Sequence, residues 1–300
     1  MEKRTFRAVF FDLDGTLLPM DVDVFMKSYF RALGGYVARM GIAPDQFMAG
    51  MKRGITAMAT NDSGHANAES FWPEFLACID LPEGVTADAL QAAIGDFYEN
   101  EFGELGADVQ PNPAAARAIE ALAAKGYPLV LATMPMFPRR AVEWRLRWAG
   151  IDPAVFSRIT TFENSTAVKP KPDYYAENLA AAGVEGRDVL MVGNNTKEDL
   201  AACQLGCEGF LVTDFLIDPV GFEVFSVRHG SMEKFADWVD SLPECADPAQ
   251  GVSDAIVPAA ARERVLAACG IADGQAGGAK TLEEAGRSGG ADFVINGMED

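Results

Sequence analysis

Two aspartates two residues apart, Asp12 and Asp14, have the clearest capacity for chemistry in this sequence. They end an apolar run that begins at Val9, and Gly15 follows them at once. Alternation along a strand would place both carboxylates on one side of the backbone, and a glycine lets the chain turn directly after them. Two carboxylates this close suit a nucleophile with an acid/base partner, or a hard metal ion. A plain strand that ends in an acidic turn is the alternative.

The stretch from Val9 to Leu18, VFFDLDGTLL, predicts a buried parallel strand that opens into a loop at its carboxyl end. Further strands are predicted at 128–133, 157–162, 188–193 and 209–213, with helices at 113–125, 139–149, 172–182, 196–205 and 231–242. Strands that alternate with helices indicate a parallel sheet covered on both faces. We therefore expect an α/β fold, a doubly wound parallel sheet, with its chemistry at the carboxyl ends of the strands.

The chain divides by pattern into three parts. Residues 20–108 show only helical periodicity, at about 20–40, 44–59, 66–79 and 86–103, and predict an all-helical domain inserted after the first strand. Residues 1–19 and 109–243 form the predicted α/β core. Residues 244–300 are rich in Ala and Gly, with one helical stretch at about 258–269. We expect a loosely attached or partly disordered tail there.

The composition limits the partners and the compartment. The 300 residues are 49% hydrophobic, and the formal net charge of −19 argues against binding nucleic acid or an anionic membrane surface. Five cysteines without zinc-site spacing suggest reduced thiols, and Cys203 and Cys207 are expected to pack. Asp12 interrupts the first apolar run too soon for a secretion signal, and no stretch approaches the roughly 20 apolar residues of a membrane span. We expect a soluble, cytoplasmic protein.

Four stretches carry the remaining chemistry, in a recognisable order. DLDGT holds Asp12 and Asp14, LVLAT ends at Thr133, KPKPDYY begins at Lys169, and GNNTKED runs from Gly193 to Asp199. In this order, at the ends of predicted strands, they resemble the signatures of the haloacid dehalogenase superfamily over about residues 6–217. The resemblance implies a Rossmann-like core, with residues 20–108 as the cap that many members insert after the first motif.

The resemblance also implies roles for these residues. Asp12 would be the nucleophile that forms an aspartyl-phosphate, and Asp14 the acid/base, whose backbone carbonyl also binds magnesium. Relatives that cleave carbon–halogen bonds generally lack the second acid, so Asp14 favours phosphoryl transfer. Thr133 would bind the phosphoryl group. Lys169, rather than the nearby Lys171, would hold Asp12 and the phosphate together despite their like charge.

The fourth motif departs from the family pattern. Most relatives have an acid where this chain has Asn194, whereas Asp199 keeps the second acid. The implied magnesium ligands are thus Asp12, Asp14, Asn194 and Asp199, and the uncharged amide predicts weaker metal binding. Asp199 would be a direct or water-mediated ligand, or an acid that stabilises a helix N-terminus, or both.

These observations favour a magnesium-dependent phosphatase of small phosphorylated metabolites, with a cap that closes over the substrate. A phosphomutase is a variant of the same chemistry. A catalytically silent relative that binds a phosphorylated ligand or a protein partner is the alternative from another class, suggested by Asn194 and by the tail at 244–300, which has no recognised role. The substrate and the oligomeric state are not encoded in any pattern we recognise. Further charged residues suit either anion contacts or solvated helix faces: Lys52, Arg53 and His65 in the helical domain, and Arg139 and Arg140 in the core.

Overall fold

The computed structural model describes residues 5–271, which are built around a parallel β-sheet. Its strands in this range are β1 (Ala8–Phe11), β2 (Leu129–Leu131), β3 (Phe156–Ile159), β4 (Val189–Gly193), β5 (Glu208–Val212) and β6 (Arg228–Gly230). They lie in the order β3-β2-β1-β4-β5-β6, and every adjacent pair is parallel. The apolar strands β1, β2 and β4 are buried at every position, as expected for strands covered on both faces.

The chain between β1 and β2 is helical. It forms α1 (Val22–Ala38), α2 (Pro44–Ala59), α3 (Asn67–Leu76), α4 (Ala87–Asn100) and a 3₁₀ turn at Phe102–Gly106. The Asp21 side chain caps α1 by accepting a hydrogen bond from the Val24 N–H, and Thr86 caps α4 in the same way. The helical character predicted for 20–108 is confirmed. That this segment acts as a cap stays a prediction.

Two hydrophobic clusters cover the two faces of the sheet, as period-two alternation requires. Val9 and Phe11 of β1 belong to one cluster, whereas Ala8 and Phe10 belong to the other. The remaining helices are α5 (Pro113–Ala124), α6 (Arg139–Trp148), α7 (Pro172–Ala182), α8 (Met232–Asp240) and α9 (Ala259–Ala268). Helices α5, α6 and α8 cover the first face together with α1–α4, and α7 and α9 cover the second. The predicted doubly wound α/β fold is confirmed. Within residues 5–271, no helix combines the length and apolar character needed to cross a membrane.

Two details differ from the sequence-based expectations. The helix predicted at 196–205 is instead a 3₁₀ helix over Asp199–Leu205, because the preceding residues form a turn in which Asp199 accepts hydrogen bonds from backbone N–H groups. Strand β6 was not predicted, since three residues are too few to show a period.

Residues 244–271 run along the core. The backbone N–H of Ala249 bonds to the carbonyl of Arg7, and that of Ser253 to Ala181 in α7. Asp254 lies beside β3, where its Oδ1 accepts a hydrogen bond from the Ile159 N–H at 3.1 Å. The helix predicted at about 258–269 is α9. This part of the expected tail is thus packed and not loose, whereas 272–300 lies outside the described residues.

Candidate active site

The six candidate residues meet at the carboxyl edge of the sheet. Asp12 follows β1, Thr133 comes two residues after β2, and Asn194 follows β4. Strands β2 and β4 are the two neighbours of β1, so these ends must lie side by side. A cavity of about 70 Å³ is lined by Asp12, Asp14, Thr133, Asn194 and Asp199. Lys169, the sixth residue, contacts two of these carboxylates.

Lys169 holds two carboxylates at once. Its Nζ lies 2.8 Å from Asp12 Oδ1 and 2.6 Å from Asp199 Oδ1, and the lysine is 2% exposed. Burial alone would lower the pKa of Lys169, but Asp12 and Asp199 outweigh it and raise that pKa well above its usual value. The lysine is therefore a fixed cation next to Asp12. Lys171, by contrast, donates to the backbone carbonyl of Asn61 in the helical segment, at 3.1 Å.

Asp199 uses both carboxylate oxygens for hydrogen bonds within the protein. Oδ1 binds Lys169, and Oδ2 accepts from the backbone N–H groups of Asn194 and Asn195, each at 2.9 Å. The close approach requires Gly193, where a Cβ would lie 2.2 Å from the Asp199 carboxylate. Through these contacts Asp199 orients both the loop after β4 and the lysine. Its ligation of a metal stays a prediction.

Asn194 is fixed by hydrogen bonds at both ends of its amide. Its Nδ2 donates to the backbone carbonyl of Phe215 at 2.6 Å, and its Oδ1 lies 3.2 Å from the hydroxyl of Thr16. That hydroxyl is equally distant from Asp12 Oδ2. One oxygen of Asp12 and one of Asn194 thus lie near the same hydroxyl.

This donor set fits a magnesium ion. The side-chain oxygens of Asp12 and Asn194, which line one cavity, are hard ligands of the kind that magnesium prefers. Among residues 5–271, no group of three or more His, Cys, Asp or Glu side chains is arranged to hold a metal. A magnesium site here would therefore combine one or two carboxylates with neutral amide or carbonyl oxygens.

Asp14 is paired with a buried arginine that sequence reasoning missed. Its Oδ2 accepts a hydrogen bond from Arg145 Nη1, and the guanidinium, 4.4 Å from the Phe137 ring centroid, lines the same cavity. Burial raises the pKa of Asp14, and the charge of Arg145 opposes that rise. Asp14 Oδ1 and Arg145 Nη2 are both buried without a hydrogen-bond partner.

One signal in the sequence could have found Arg145. Ala141, Arg145 and Ala149 are four residues apart, so the arginine stands on the apolar face of α6, where a charge is out of place. Arg139 and Arg140 stand elsewhere on the helix and form partly exposed ion pairs with Glu143, Glu99 and Asp254.

Thr133 and Glu198 complete the polar end of the cavity. The backbone carbonyl of Thr133 accepts hydrogen bonds from the hydroxyls of Thr160 and Tyr174, at 2.9 and 2.8 Å, which anchors this strand end. Burial raises the pKa of Glu198 to about 8, and nothing in the sequence had singled it out.

Other residues noted in the sequence lie outside this cavity. In the helical segment, Arg53 pairs with Glu74 and His65 with Glu69. Cys207 is buried and Cys203 exposed, and neither forms a disulfide bond. A wider cavity of about 860 Å³, between α7 and α9, contains none of the six candidate residues.

Known proteins resemble this chain in sequence and in fold. Residues 6–205 match the family model of the haloacid dehalogenase-like hydrolases. No curated protein sequence matches the chain. Similar solved structures include a predicted phosphoglycolate phosphatase from Haemophilus somnus, at 18% identity and a TM-score of 0.45, covering 78% of this chain and 97% of that one. CbbY from Rhodobacter sphaeroides, in complex with phosphate, has 19% identity, a TM-score of 0.48, and coverages of 76% and 96%. An L-2-haloacid dehalogenase has 18% identity, a TM-score of 0.44, and coverages of 78% and 99%.

Proposed function

The chain belongs to the haloacid dehalogenase-like hydrolases, and we propose that it is a magnesium-dependent phosphatase of small phosphorylated metabolites. One observation carries the proposal. The buried Lys169 donates a hydrogen bond to the Asp12 carboxylate, and Asp12 lines the same cavity as a second acid, Asp14. A nucleophile, a cation for the phosphoryl oxygens and a proton donor are the groups that hydrolysis through a phosphoryl-enzyme requires.

The proposed reaction has two displacements. The Asp12 carboxylate attacks phosphorus, and the bond to the leaving oxygen breaks as that oxygen takes the proton of Asp14. The ionised Asp14 then takes a proton from a water molecule, whose oxygen attacks the aspartyl-phosphate. Phosphate leaves, and Asp12 and protonated Asp14 are regenerated. Lys169 reduces the repulsion between Asp12 and the incoming phosphate.

Arg145 assists Asp14 in this scheme. The raised pKa of Asp14 suits a group that must carry a proton, and the adjacent guanidinium stabilises the carboxylate after the proton has left. The arginine thus acts through Asp14 as a positioning residue.

Magnesium would be held by the carboxylate of Asp12, the side-chain oxygen of Asn194 and, from the family resemblance, the backbone carbonyl of Asp14. When bound, it would supply positive charge next to the phosphoryl oxygens. Thr133, just after the carboxyl end of β2, would contact the same phosphoryl group. We place the enzyme in the cytoplasm, in keeping with cysteines that form no disulfide bond within residues 5–271.

Asn194 favours a second candidate function, a catalytically silent relative that binds a phosphorylated ligand. The neutral amide removes one formal charge from the attraction for the metal. A phosphomutase would use the same residues, with a sugar hydroxyl in place of water, and product analysis separates it from a phosphatase.

The test is phosphate release from an aryl phosphate and a panel of small phosphorylated metabolites, across magnesium concentrations. Asp12→Asn should abolish turnover and leave the far-ultraviolet circular dichroism unchanged, because the amide cannot act as the nucleophile. Asp108→Asn, at an exposed aspartate, is the matched control and should keep full activity. Ligand binding without turnover in the parent, at saturating magnesium, would support the silent relative instead.

A further inference from the structure

A second cavity adjoins the candidate active site. It has a volume of about 40 Å³ and shares Met26, Met136 and Phe137 with the cavity that contains Asp12 and Asp14. Its other walls come from α1, α2, α3 and α4 and from the start of α6 and the turn after β3. The shared side chains place it directly beside the active-site cavity, on the side of the helical segment. We call it the apolar chamber.

The chamber offers few hydrogen bonds to a ligand. Apart from the indole of Trp72, its only polar side-chain atoms are the hydroxyls of Tyr29 and Tyr98. These two hydroxyls are buried and bond to each other at 2.6 Å. A sugar placed here would bury several hydroxyls without partners, and each unmade hydrogen bond is unfavourable.

The active-site cavity has both charged and apolar walls. Its carboxylates lie at the sheet edge, where Asp12 follows β1, and the Arg145 guanidinium lies 4.4 Å from the ring of Phe137, which both cavities share. On the side of α1 the cavity is lined by Val22, Phe25 and Met26, and Met26 also lines the chamber. A phosphoryl group bound at Asp12 would therefore direct the rest of its ester toward apolar side chains.

The chamber can also adjust its size. About 10–15 Å³ of such volume accommodates one water-sized group, so it has space for roughly three. Four of the residues that line it are methionines: Met26, Met51, Met58 and Met136. Flexible thioether side chains can move to fit chains of different length.

We propose that the protein selects phosphate monoesters whose leaving group is apolar, such as a short alkyl or aryl alcohol, over hydroxylated sugar phosphates. This inference rests on the proposed phosphatase function and specifies its substrate class. Selection arises in the chamber, through burial of the leaving group against methionine and aromatic side chains.

The test uses a series of n-alkyl phosphates from methyl to butyl, with 2-hydroxyethyl phosphate as the polar counterpart of propyl phosphate. Each added methylene that enters the chamber should raise kcat/KM about fourfold. Propyl phosphate should exceed 2-hydroxyethyl phosphate by about tenfold or more, because the terminal hydroxyl would lack a partner.

A pair of variants locates the effect. Met58→Gln introduces an amide into the chamber and should lower kcat/KM for butyl phosphate several-fold while leaving that for methyl phosphate unchanged. Met48→Gln, in the same helix but outside both cavities, should leave both values unchanged. Thermal unfolding checks that each variant is folded.

The outcomes separate the two proposals. Phosphate release that does not depend on chain length, or that favours the hydroxylated ester, would overturn the apolar selection and leave the phosphatase standing. No release from any ester or from the aryl phosphate would overturn the phosphatase and this inference with it. Should Met58→Gln fail to fold, the chain-length series on the parent protein still decides.

Discussion

At the scale of single residues, Asn194 shows why an amide can replace the usual acid of the fourth motif. The amide donates one hydrogen bond to the Phe215 carbonyl and accepts another from Thr16. A carboxylate could only accept, so it would face the Phe215 carbonyl without a proton between them. The local backbone therefore favours an amide at a position where the metal would favour an acid.

Asn194→Asp should accordingly change stability and metal binding in opposite directions. Without metal, the variant should be less stable by about 1–3 kcal/mol, because the Phe215 carbonyl loses its buried donor. Added magnesium should stabilise the variant more than the parent, since the new charge attracts the cation and binding favours the folded state. Thermal unfolding with and without magnesium measures both effects.

A neighbouring position supplies the control for this experiment. Asn195 accepts hydrogen bonds from the N–H groups of Lys197 and Glu198 through Oδ1, a role that an aspartate keeps. Asn195→Asp adds the same charge one residue along the chain. Without metal, it should not lose stability as Asn194→Asp does. Equal magnesium stabilisation in Asn194→Asp and Asn195→Asp would mean that position 194 is not a specific ligand.

The site residues that sequence reasoning found share one property, and those it missed lack it. Asp12 and Thr133 end apolar runs and Lys169 begins a K-P-x-P sequence, so the family resemblance locates all three from local patterns. Arg145 is 131 residues from its partner Asp14 along the chain, and only folding reveals the pair. Asn194 was recognised as a departure, but its contact with Phe215 depends on the loop after β5.

At the scale of secondary-structure elements, α2 and α3 pack closely through glycine. A Cβ at Gly54 of α2 would lie 2.5 Å from the ring of Phe71 in α3, whereas real Cβ contacts are longer. Phe71 is itself a wall of the apolar chamber. Gly35 of α1 is also in a helix interior, but a Cβ there would meet nothing within 4 Å.

These two glycines make a matched pair for substitution. Gly35→Ala should stabilise the protein by about 0.5–1 kcal/mol, from helix propensity alone. Gly54→Ala gains the same propensity but overpacks the α2–α3 contact, at a cost of about 1–3 kcal/mol, so the net effect should be destabilising. Urea unfolding of both variants measures the difference. Equal stabilisation by the two alanines would show that α2 and α3 are not in close contact at Gly54.

Apolar periodicity predicts most of the helices and strands, with two exceptions. The helices α1–α4 follow the expected apolar spacing, and Gly34 and Gly35 do not interrupt α1. The 3₁₀ helix at Asp199–Leu205 was taken for an α-helix because apolar spacing does not distinguish the two over seven residues. Strand β6 lies at the sheet edge and is only partly buried, so it lacks the apolar run that marks β1 and β4.

At the scale of the whole molecule, helix α9 is linked to the loop before Lys169. Arg262 of α9 donates to the hydroxyl of Thr166 at 3.0 Å, and that hydroxyl donates to Glu177 Oε2 in α7 at 2.8 Å. The N–H of Thr166 also donates to Glu177. Glu177 is fully buried, and Arg158 and Arg262 are the charged groups that face it.

Glu177 should make stability depend on pH. Burial raises its pKa from 4.5 to about 7, against the opposing hydrogen bonds of Thr166 and the two arginines. As the pH rises above 4.5, the unfolded chain loses this proton before the folded protein does. Ionisation therefore favours unfolding between about pH 4.5 and 7, by at most about 3 kcal/mol, and the effect is constant above that range.

Glu177→Gln removes this titration. The stability of the parent relative to the variant should fall as the pH is raised from 5 to 8, measured by urea unfolding at each pH. Glu263→Gln, at an exposed glutamate of α9, serves as the control and should follow the parent. A constant difference between parent and Glu177→Gln across this range would contradict the raised pKa.

The position of Asp254 beside β3 affects whether two molecules of this protein can associate through the edges of their sheets. An outer strand of a sheet exposes unpaired backbone groups on which a strand of another chain can add, the usual first step of sheet-mediated aggregation. Here the Ile159 N–H is already bonded to Asp254, and at the opposite edge β6 is only three residues long. An incoming strand would find one edge covered by a carboxylate and the other too short to extend.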